Sequence, residues 1–220
     1  MNSRNSRLRV AILISGRGSN MQALIEDCAR ADNPSEIALV VANKPDAGGL
    51  ARAGAAGIAT AVVSHRTFAD RAAFEAQIEE KLRAAGIQLI CLAGFMRILS
   101  DEFVAAWRDR MINIHPSLLP SFRGLDTHAR ALAAGARFHG CTVHFVRPEM
   151  DTGPIIVQAA VPINSGDTPD SLAARVLSAE HRIYPLALRW IAEGRVRVEN
   201  ERAIVEGAVA AADLLINPRA

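Results

Sequence analysis

The sequence predicts an α/β fold, a doubly wound and mostly parallel sheet flanked by helices, with a mixed C-terminal half. Two observations favour this class. Short apolar runs alternate with helical patterns over residues 7–115, and the runs Ile37–Ala42 and Leu89–Ala93 are apolar at every position. Strands that are apolar throughout are typical of parallel sheets covered by helices on both faces. A chain of 220 residues is also long enough for one well-cored domain.

The first half begins with a strand and an amphipathic helix. The run Leu8–Ile14 predicts the strand, and Met21, Leu24, Ile25 and Cys28 follow at the spacing of one helical face. The same alternation then predicts a strand over Ile37–Ala42, a helix over Gly49–Ala56, a strand over Thr60–Val63, a helix over Phe68–Ala85 and a strand over Gln88–Ala93.

Helix-start residues precede the two longest helices. Thr67 and Asp70 stand where a capping-box pair would begin the helix Phe68–Ala85. Thr168 is an N-cap residue followed by proline at the first helical position, and Pro185 favours a kink later in that helix. The elements predicted for the second half are a helix over Asp126–Ala134, strands over Cys141–Phe145 and Pro154–Val161, a helix over Thr168–Glu193 and a hairpin over Val196–Val205.

Composition favours a cytoplasmic protein without nucleic-acid or membrane partners. The formal net charge is only +2, and no lysine- or arginine-rich tract adds a basic surface. The three cysteines, Cys28, Cys91 and Cys141, lie far apart without a CxxC spacing, which predicts reduced, buried thiols. No apolar stretch approaches the ~18 residues that a membrane span requires.

A glycine-rich turn, Ser15–Asn20, lies between the first strand and the first helix. Glycines allow close approach of a ligand, and the helix start offers free N–H groups, so the turn predicts phosphate binding. It is not a Walker loop, because no Gly-Lys-Ser/Thr follows. It is also a poor dinucleotide fingerprint, because Met21 replaces the third glycine and Asn43-Lys44 replaces the expected acid. A tight turn without a ligand stays the alternative.

The segment Asn113–Ser117 predicts a polar strand end. Asn113 and His115 are two residues apart on a strand and share one face, and Pro116 ends the ladder. Open α/β sheets build their sites at such carboxyl ends. An amide donor beside an imidazole can stabilise an oxyanion and protonate a leaving nitrogen. A polar pair that only satisfies a loop is an equally good interpretation of this segment alone.

Two further segments are candidates for function. Asp151 lies in a Gly/Pro turn, where turn chemistry alone also favours aspartate. The loop Phe95–Leu99 follows a buried strand, so it can line a flat ligand slot with Arg97 pairing an anion, although a core loop with a surface arginine fits as well. We expect no metal, because several histidines of this part of the chain scatter over separate elements without HxxxH or HExxH spacing: His115, His128, His139 and His144.

Four motifs, in this order along the chain, carry a resemblance to a known family. They are Gly16–Asn20, Ala93–Leu99, Asn113–Pro120 and Asp151–Pro154. With them the chain resembles the glycinamide ribonucleotide formyltransferases, folate-dependent enzymes of purine synthesis, from Leu8 to Ile191. The block Asn113–Pro120 is shared with other folate-dependent formyl-transferring enzymes. The glycine loop together with Glu180-His181 narrows the resemblance to the ribonucleotide enzymes.

The resemblance implies a single domain with the Rossmann-like formyltransferase fold. It implies a phosphate-binding half over residues 7–115, a folate and catalytic half over 116–195, and a tail over 196–220. The implied reaction transfers a formyl group from the co-substrate 10-formyltetrahydrofolate to the amine of glycinamide ribonucleotide, without a metal. The implied assembly is a monomer or a homodimer.

The resemblance also assigns roles to residues. The implied catalytic residues are Asn113, His115 and Asp151. The implied ribonucleotide-binding residues are Gly18, Ser19, Asn20 and Glu180. The implied folate-binding residues are Arg71, Met96, Arg97, Ile98, Leu99, Arg147 and Met150. Two positions depart from the family pattern: Asp126 stands where the bacterial enzymes carry histidine, and Arg17 where asparagine is common.

The chemistry of the residues agrees with this transfer. The nucleophile is the substrate's own amine, so no serine or cysteine nucleophile is needed. Asn113 and a protonated His115 can stabilise the oxyanion, and a nearby Asp151 favours the imidazolium. His115, or a water held by Asp151, then passes a proton to the leaving folate nitrogen.

Three other functions are weighed against this one. Methionyl-tRNA formyltransferase carries an additional tRNA-binding domain, and formyltetrahydrofolate hydrolase usually carries an N-terminal regulatory domain, and we expect neither in a chain of this length. A non-catalytic nucleotide-binding module would use the glycine loop alone, and would leave Asn113, His115 and Asp151 unexplained.

Overall fold

Seven strands form one sheet in the described part of this computed structural model, residues 7–210 and 215–218. They are β1 (Leu8–Ile14), β2 (Ser35–Ala42), β3 (Thr60–Val62), β4 (Leu89–Leu92), β5 (Met111–His115), β6 (Phe138–Phe145) and β7 (Ile155–Pro162). Their order is β3-β2-β1-β4-β5-β6-β7. Neighbours from β3 to β5 pair in parallel, and β6 pairs with β7 antiparallel. The predicted α/β fold with a mostly parallel sheet is confirmed.

Six α-helices and a small hairpin complete the described elements. The helices are α1 (Ser19–Cys28), α2 (Gly48–Ala55), α3 (Arg71–Ala84), α4 (Asp101–Ala106), α5 (Thr127–Ala133) and α6 (Pro169–Ala192). The hairpin consists of β8 (Val196–Glu199) and β9 (Arg202–Val205), which confirms its prediction. The sequence did not predict α4, because six residues are too few to show a helical period.

The described residues divide into two compact units by their internal contacts. The first contains the chain up to Asn113 together with Phe145–Pro148, and the second contains Ile114–His144 and the chain from Glu149 onward. Of the tail predicted over 196–220, residues 211–214 and 219–220 lie outside the described part of the chain. The division into phosphate-binding and folate-binding halves stays a prediction, because chain contacts do not define ligand sites.

The core of the first unit surrounds its parallel strands. Residues Val10–Ile14 of β1 are fully buried, as expected for a strand covered on both faces. Phe74, Ile78 and Leu82 of α3 bury one helical face in the same core. The buried positions of α1 are Met21, Leu24, Ile25 and Cys28, which confirms the predicted stripe. These strand and helix faces hold the carboxyl ends of the strands in place.

The capping residues confirm one predicted helix start and correct another. Thr168 caps α6 with a full capping box shared with Ser171, and the helix continues through Pro185. For α3, the Asp70 carboxylate accepts the Ala73 N–H at 2.8 Å. The predicted role of Thr67 in that cap is wrong. It ends a 3₁₀ turn, where its hydroxyl donates to the Ser64 carbonyl, and the chain is extended at Phe68.

The three cysteines are free and buried, as predicted. Burial first, and then the charge of Glu180, raises the pKa of the Cys141 thiol to about 12. A thiol with such a pKa stays protonated near neutral pH, so Cys141 is an inert core residue rather than a nucleophile.

Candidate active site

The glycine loop of the first unit runs from the end of β1 to the start of α1. Gly18 is the N-cap and has a left-handed backbone, with φ +72°. A Cβ at Gly18 would lie 3.0 Å from the Gly49 Cα, so the loop packs directly against the start of α2. The Gly49 N–H also donates to the Gly16 carbonyl at 3.1 Å. These contacts explain why this turn needs glycine.

The start of α1 offers backbone donors to a ligand. The first intrahelical bond of α1 joins the Gln22 N–H to the Gly18 carbonyl at 2.9 Å. The N–H groups of Ser19, Asn20 and Met21 precede it, and helix geometry gives such groups no intrahelical acceptor. The Gly18 cap supplies no side chain to cover them. This arrangement suits an anion, and a phosphate above all.

The Phe95–Leu99 loop is tied to the start of the glycine loop. The Ser15 hydroxyl accepts the Met96 N–H at 2.8 Å, and the Ser15 N–H donates to the Gly94 carbonyl. Met96, Arg97 and Ile98 are exposed, with Met96 at 65% and Ile98 at 71%. Leu99 is buried in the core of the first unit, so any contact from Leu99 to a ligand would come from its backbone.

The second unit contains a buried histidine–aspartate pair. His115 ends β5, and its Nδ1 lies 3.4 Å from the Asp151 Oδ2. Both side chains are less than a tenth exposed. The other ring nitrogen, Nε2, lies 3.1 Å from the Phe122 carbonyl. A carbonyl can only accept, so the Nε2–H donates to Phe122, while Nδ1 faces the Asp151 carboxylate.

Asp151 is held by a turn and by a backbone donor. It has a left-handed backbone, φ +58°, inside the turn that the sequence predicted. Its Oδ2 accepts the Gly124 N–H at 2.9 Å, and its Oδ1 lies 3.8 Å from the His144 Nε2. The carboxylate therefore faces two imidazoles. The pair can hold a proton, deliver it to a leaving group and balance the charge of an oxyanion.

Comparison with known proteins identifies the family. A family model described as formyl transferase matches residues 8–188. The chain belongs to the formyl transferase family. It is 44% identical over 200 residues to the phosphoribosylglycinamide formyltransferase of Escherichia coli strain K12, covering 91% of this chain and 94% of that protein.

Other formyl transferase relatives include longer proteins and solved structures. The trifunctional purine biosynthetic protein adenosine-3 of Bos taurus is 50% identical over 197 residues, which is 89% of this chain. The chain spans about a fifth of the length of that relative. Glycinamide ribonucleotide transformylase 1 from Symbiobacterium toebii superposes with a TM-score of 0.88 at 44% identity, covering 91% of this chain and 94% of that one.

Four other predicted site residues differ in their burial and in the element that carries them. Asn113 is half-buried on β5, two residues before His115. Glu180 is buried on α6 in the second unit. Arg71 begins α3 and lines a groove of about 650 Å³ between α3 and α4 in the first unit. Met150 is 55% exposed, next to Asp151 in the chain.

Arg147 already has partners inside the first unit. Its guanidinium is buried and donates to the Asp109 carboxylate at 2.7 Å and to the Val146 carbonyl at 3.0 Å. These bonds fix the chain just before the turn that carries Asp151. The contact of Arg147 with folate stays a prediction.

Sequence reasoning did not assign any role to the histidines around this pair. His144 is the second-to-last residue of β6, and this position near a strand end was the signal that the sequence offered. His139 is buried, and burial and the nearby His128 lower its pKa to about 4, so it is neutral at pH 7. The rings of these two histidines meet edge to face at 5.2 Å.

The described side chains and helices bear on metal binding and on membrane insertion. Within residues 7–210 and 215–218, no group of three or more His, Cys, Asp or Glu side chains is placed to hold a metal ion. Over the same residues, no helix is both long enough and apolar enough to cross a membrane.

Proposed function

We propose that this chain transfers the formyl group of 10-formyltetrahydrofolate to the amine of glycinamide ribonucleotide, a step of purine biosynthesis. The observation that carries the proposal is the buried His115–Asp151 pair, found in a chain that belongs to the formyl transferase family. The names of its relatives, a phosphoribosylglycinamide formyltransferase among them, support the choice of substrate.

In this proposal the substrate's amine attacks the formyl carbon. A bond forms between that carbon and the amine nitrogen, and the carbonyl oxygen becomes an oxyanion. The Asn113 amide and a protonated His115 stabilise the oxyanion. The tetrahedral intermediate then breaks its bond to the folate nitrogen.

One proton moves between the two reacting nitrogens, and His115 and Asp151 serve this transfer in the proposed mechanism. The attacking amine loses one proton and the leaving folate nitrogen gains one, so no other reactant is needed. Asp151 orients His115 through its contact with Nδ1, and His115 or a water on Asp151 carries the proton between the two nitrogens. The proposal includes no metal, because an amine attacks a formyl carbon without one.

The binding roles follow the predicted division of the chain. The phosphate would be held by Gly18, Ser19 and Asn20, whose backbone donors begin α1, and Glu180 would meet the amine and ribose region. We keep the predicted folate-binding set, which is Arg71, Met96, Arg97, Ile98, Leu99, Arg147 and Met150. A cytoplasmic location and a monomeric or homodimeric state belong to the same proposal.

The test is an assay with 10-formyltetrahydrofolate that carries an isotopic label in its formyl group. We expect the label in formyl-glycinamide ribonucleotide, and only when glycinamide ribonucleotide is present. The variant His115→Ala, prepared in parallel, should lose this activity while its melting temperature stays close to that of the wild type. Label released as formate without transfer would favour the hydrolase, and binding without turnover would favour the nucleotide-binding module.

A further inference from the structure

The loop between β5 and α5 supplies two backbone contacts to the histidine–aspartate pair. The Phe122 carbonyl accepts from the His115 Nε2 at 3.1 Å, and the Gly124 N–H donates to the Asp151 Oδ2 at 2.9 Å. Both loop groups belong to the main chain. Their positions therefore depend on the conformation of the loop rather than on the identity of its side chains.

That conformation is one that an isolated loop would not prefer. Phe122 has φ +53° and Asp126 has φ +55°, and Gly124 between them has φ +79°. A left-handed backbone is unfavourable for a residue with a Cβ, and phenylalanine is a rare occupant of it. Residues in such conformations persist when surrounding contacts fix them.

Arg130, on the following helix, contacts this loop at three residues. Its Nη1 donates to the Arg123 carbonyl at 2.5 Å and to the Leu125 carbonyl at 3.2 Å, the two residues that flank Gly124. Its guanidinium carbon also lies 5.7 Å from the centre of the Phe122 ring. One side chain thus contacts the loop on both sides of the Asp151 donor and at the residue that accepts from His115.

The helix that carries Arg130 has its own anchor. The Thr127 hydroxyl donates to the Pro116 carbonyl at 2.6 Å, which ties the start of α5 to the residue after His115. Another charged contact of the loop is weaker: Arg123 meets Glu149 at 3.1 Å, but both side chains are well exposed, at 42% and 75%. Exposed ion pairs contribute little. Arg130 is exposed as well, but it contacts three residues of the loop instead of one, so it is the better candidate for holding the loop.

We propose that Arg130 is a positioning residue for catalysis: it holds the Phe122–Leu125 loop so that the loop's backbone orients His115 and Asp151. This inference rests on the proposed function, and it adds a residue outside every motif that the sequence singled out. Arg130 does not touch the reacting atoms in this proposal. Its removal should therefore lower kcat and leave the KM for both substrates nearly unchanged.

The first test compares three variants on one preparation. Arg130→Met keeps the apolar stem and removes the donors, so kcat should fall about 10-fold or more, as small misplacements of catalytic groups do. Arg130→Lys restores a donor to the loop carbonyls and should recover part of the loss. Arg175→Met is the control. Like Arg130, Arg175 donates to a main-chain carbonyl, that of Pro162, and it also bonds the Asp167 carboxylate. The control variant should keep its kcat.

A second test separates positioning from general loss of structure. In the background of His115→Ala, the further change Arg130→Met should lower the residual kcat by about 2-fold at most, because groups that act as a unit combine non-additively. A full second loss of kcat in that background would overturn the inference. A wild-type kcat in folded Arg130→Met, or an equal kcat loss in Arg175→Met, would overturn it too.

A third readout does not depend on activity. The Gly124 amide donates to Asp151, so its hydrogen exchange reports whether the loop keeps its position. Exchange at Gly124 should accelerate in Arg130→Met and stay slow in Arg175→Met, and unchanged exchange in both variants would overturn the inference. If the wild-type protein transfers no formyl group, the proposed function fails, whereas the Gly124 exchange still decides whether Arg130 holds the loop.

Discussion

The first unit builds its candidate phosphate site from backbone, whereas the second unit builds its candidate catalytic pair from side chains. In the first, α1 begins at the left-handed Gly18, and the N–H groups of its first turn have no intrahelical acceptor. Gly18 and Gly49 let the glycine loop pack closely against the start of α2. In the second, His115 and Asp151 meet across 36 residues of chain, and loop backbone fixes each of them. Binding and chemistry should therefore be separable by substitution.

The largest effect should come from the two proposed catalytic side chains on β5, Asn113 and His115. We expect Asn113→Ala and His115→Ala each to lower turnover by roughly 10²-fold or more, because each removes a group that the proposed mechanism uses to stabilise the oxyanion. Ligand binding should change little. Turnover, both dissociation constants and melting temperature measured on each variant would check this. Near-wild-type turnover in the folded variants would contradict the mechanism.

The next effect tests the backbone site of the first unit. Gly18→Asp places a Cβ against Gly49 and a negative charge at the start of α1, so ribonucleotide affinity should fall roughly tenfold or more, about 1.4 kcal/mol. Folate affinity should stay nearly intact. The control is Gly57→Asp, since Gly57 has a similar φ of +73° and open space around it. Equal loss of both ligands in Gly18→Asp would make the loop structural.

The stability of the second unit should depend on pH through the buried His139. The pKa of His139 is lowered to about 4 from 6.5, so between these values the unfolded state binds the proton more strongly than the folded state. This group should therefore lower the free energy of unfolding as the pH falls from about 6.5 toward 4, and add nothing further below that range. Urea unfolding across this range should show a weaker pH dependence for His139→Gln. Identical slopes would contradict the burial argument.

The smallest effect should show that stability in the second unit can change without catalysis. Thr168→Ala removes the hydroxyl that accepts the Ser171 N–H at 3.2 Å, and should cost about 1 kcal/mol of unfolding free energy. Thr168→Ser keeps the cap and should recover most of it. Turnover should stay at the wild-type value in both. A clear loss of turnover would connect this helix start to the site and weaken the comparison.

Local patterns were enough to predict most of the elements. The buried stripe of α1, the apolar strands and the Thr168 cap each depend on residues a few positions apart, and such short-range patterns are visible in a sequence. The errors concern two short elements, the 3₁₀ turn before α3 and the helix α4. Thr67 has the chemistry of a cap, but the 3₁₀ turn from His65 uses its hydroxyl instead. The helix α4 was too short to show a period.

The sequence by itself determined the chemical inventory of this protein: a glycine loop before a helix, an amide and an imidazole on one strand, and an acid in a turn. Only the tertiary structure decided which of these groups meet. It paired His115 with Asp151, added His144 to the same carboxylate and placed Arg130 on the loop that contacts both members of the pair. The His115–Asp151 contact joins residues far apart in the chain, and the other two join neighbouring segments through a turn or a loop. Their distances depend on how strands, turns and helices pack together, which no periodic pattern of the sequence shows.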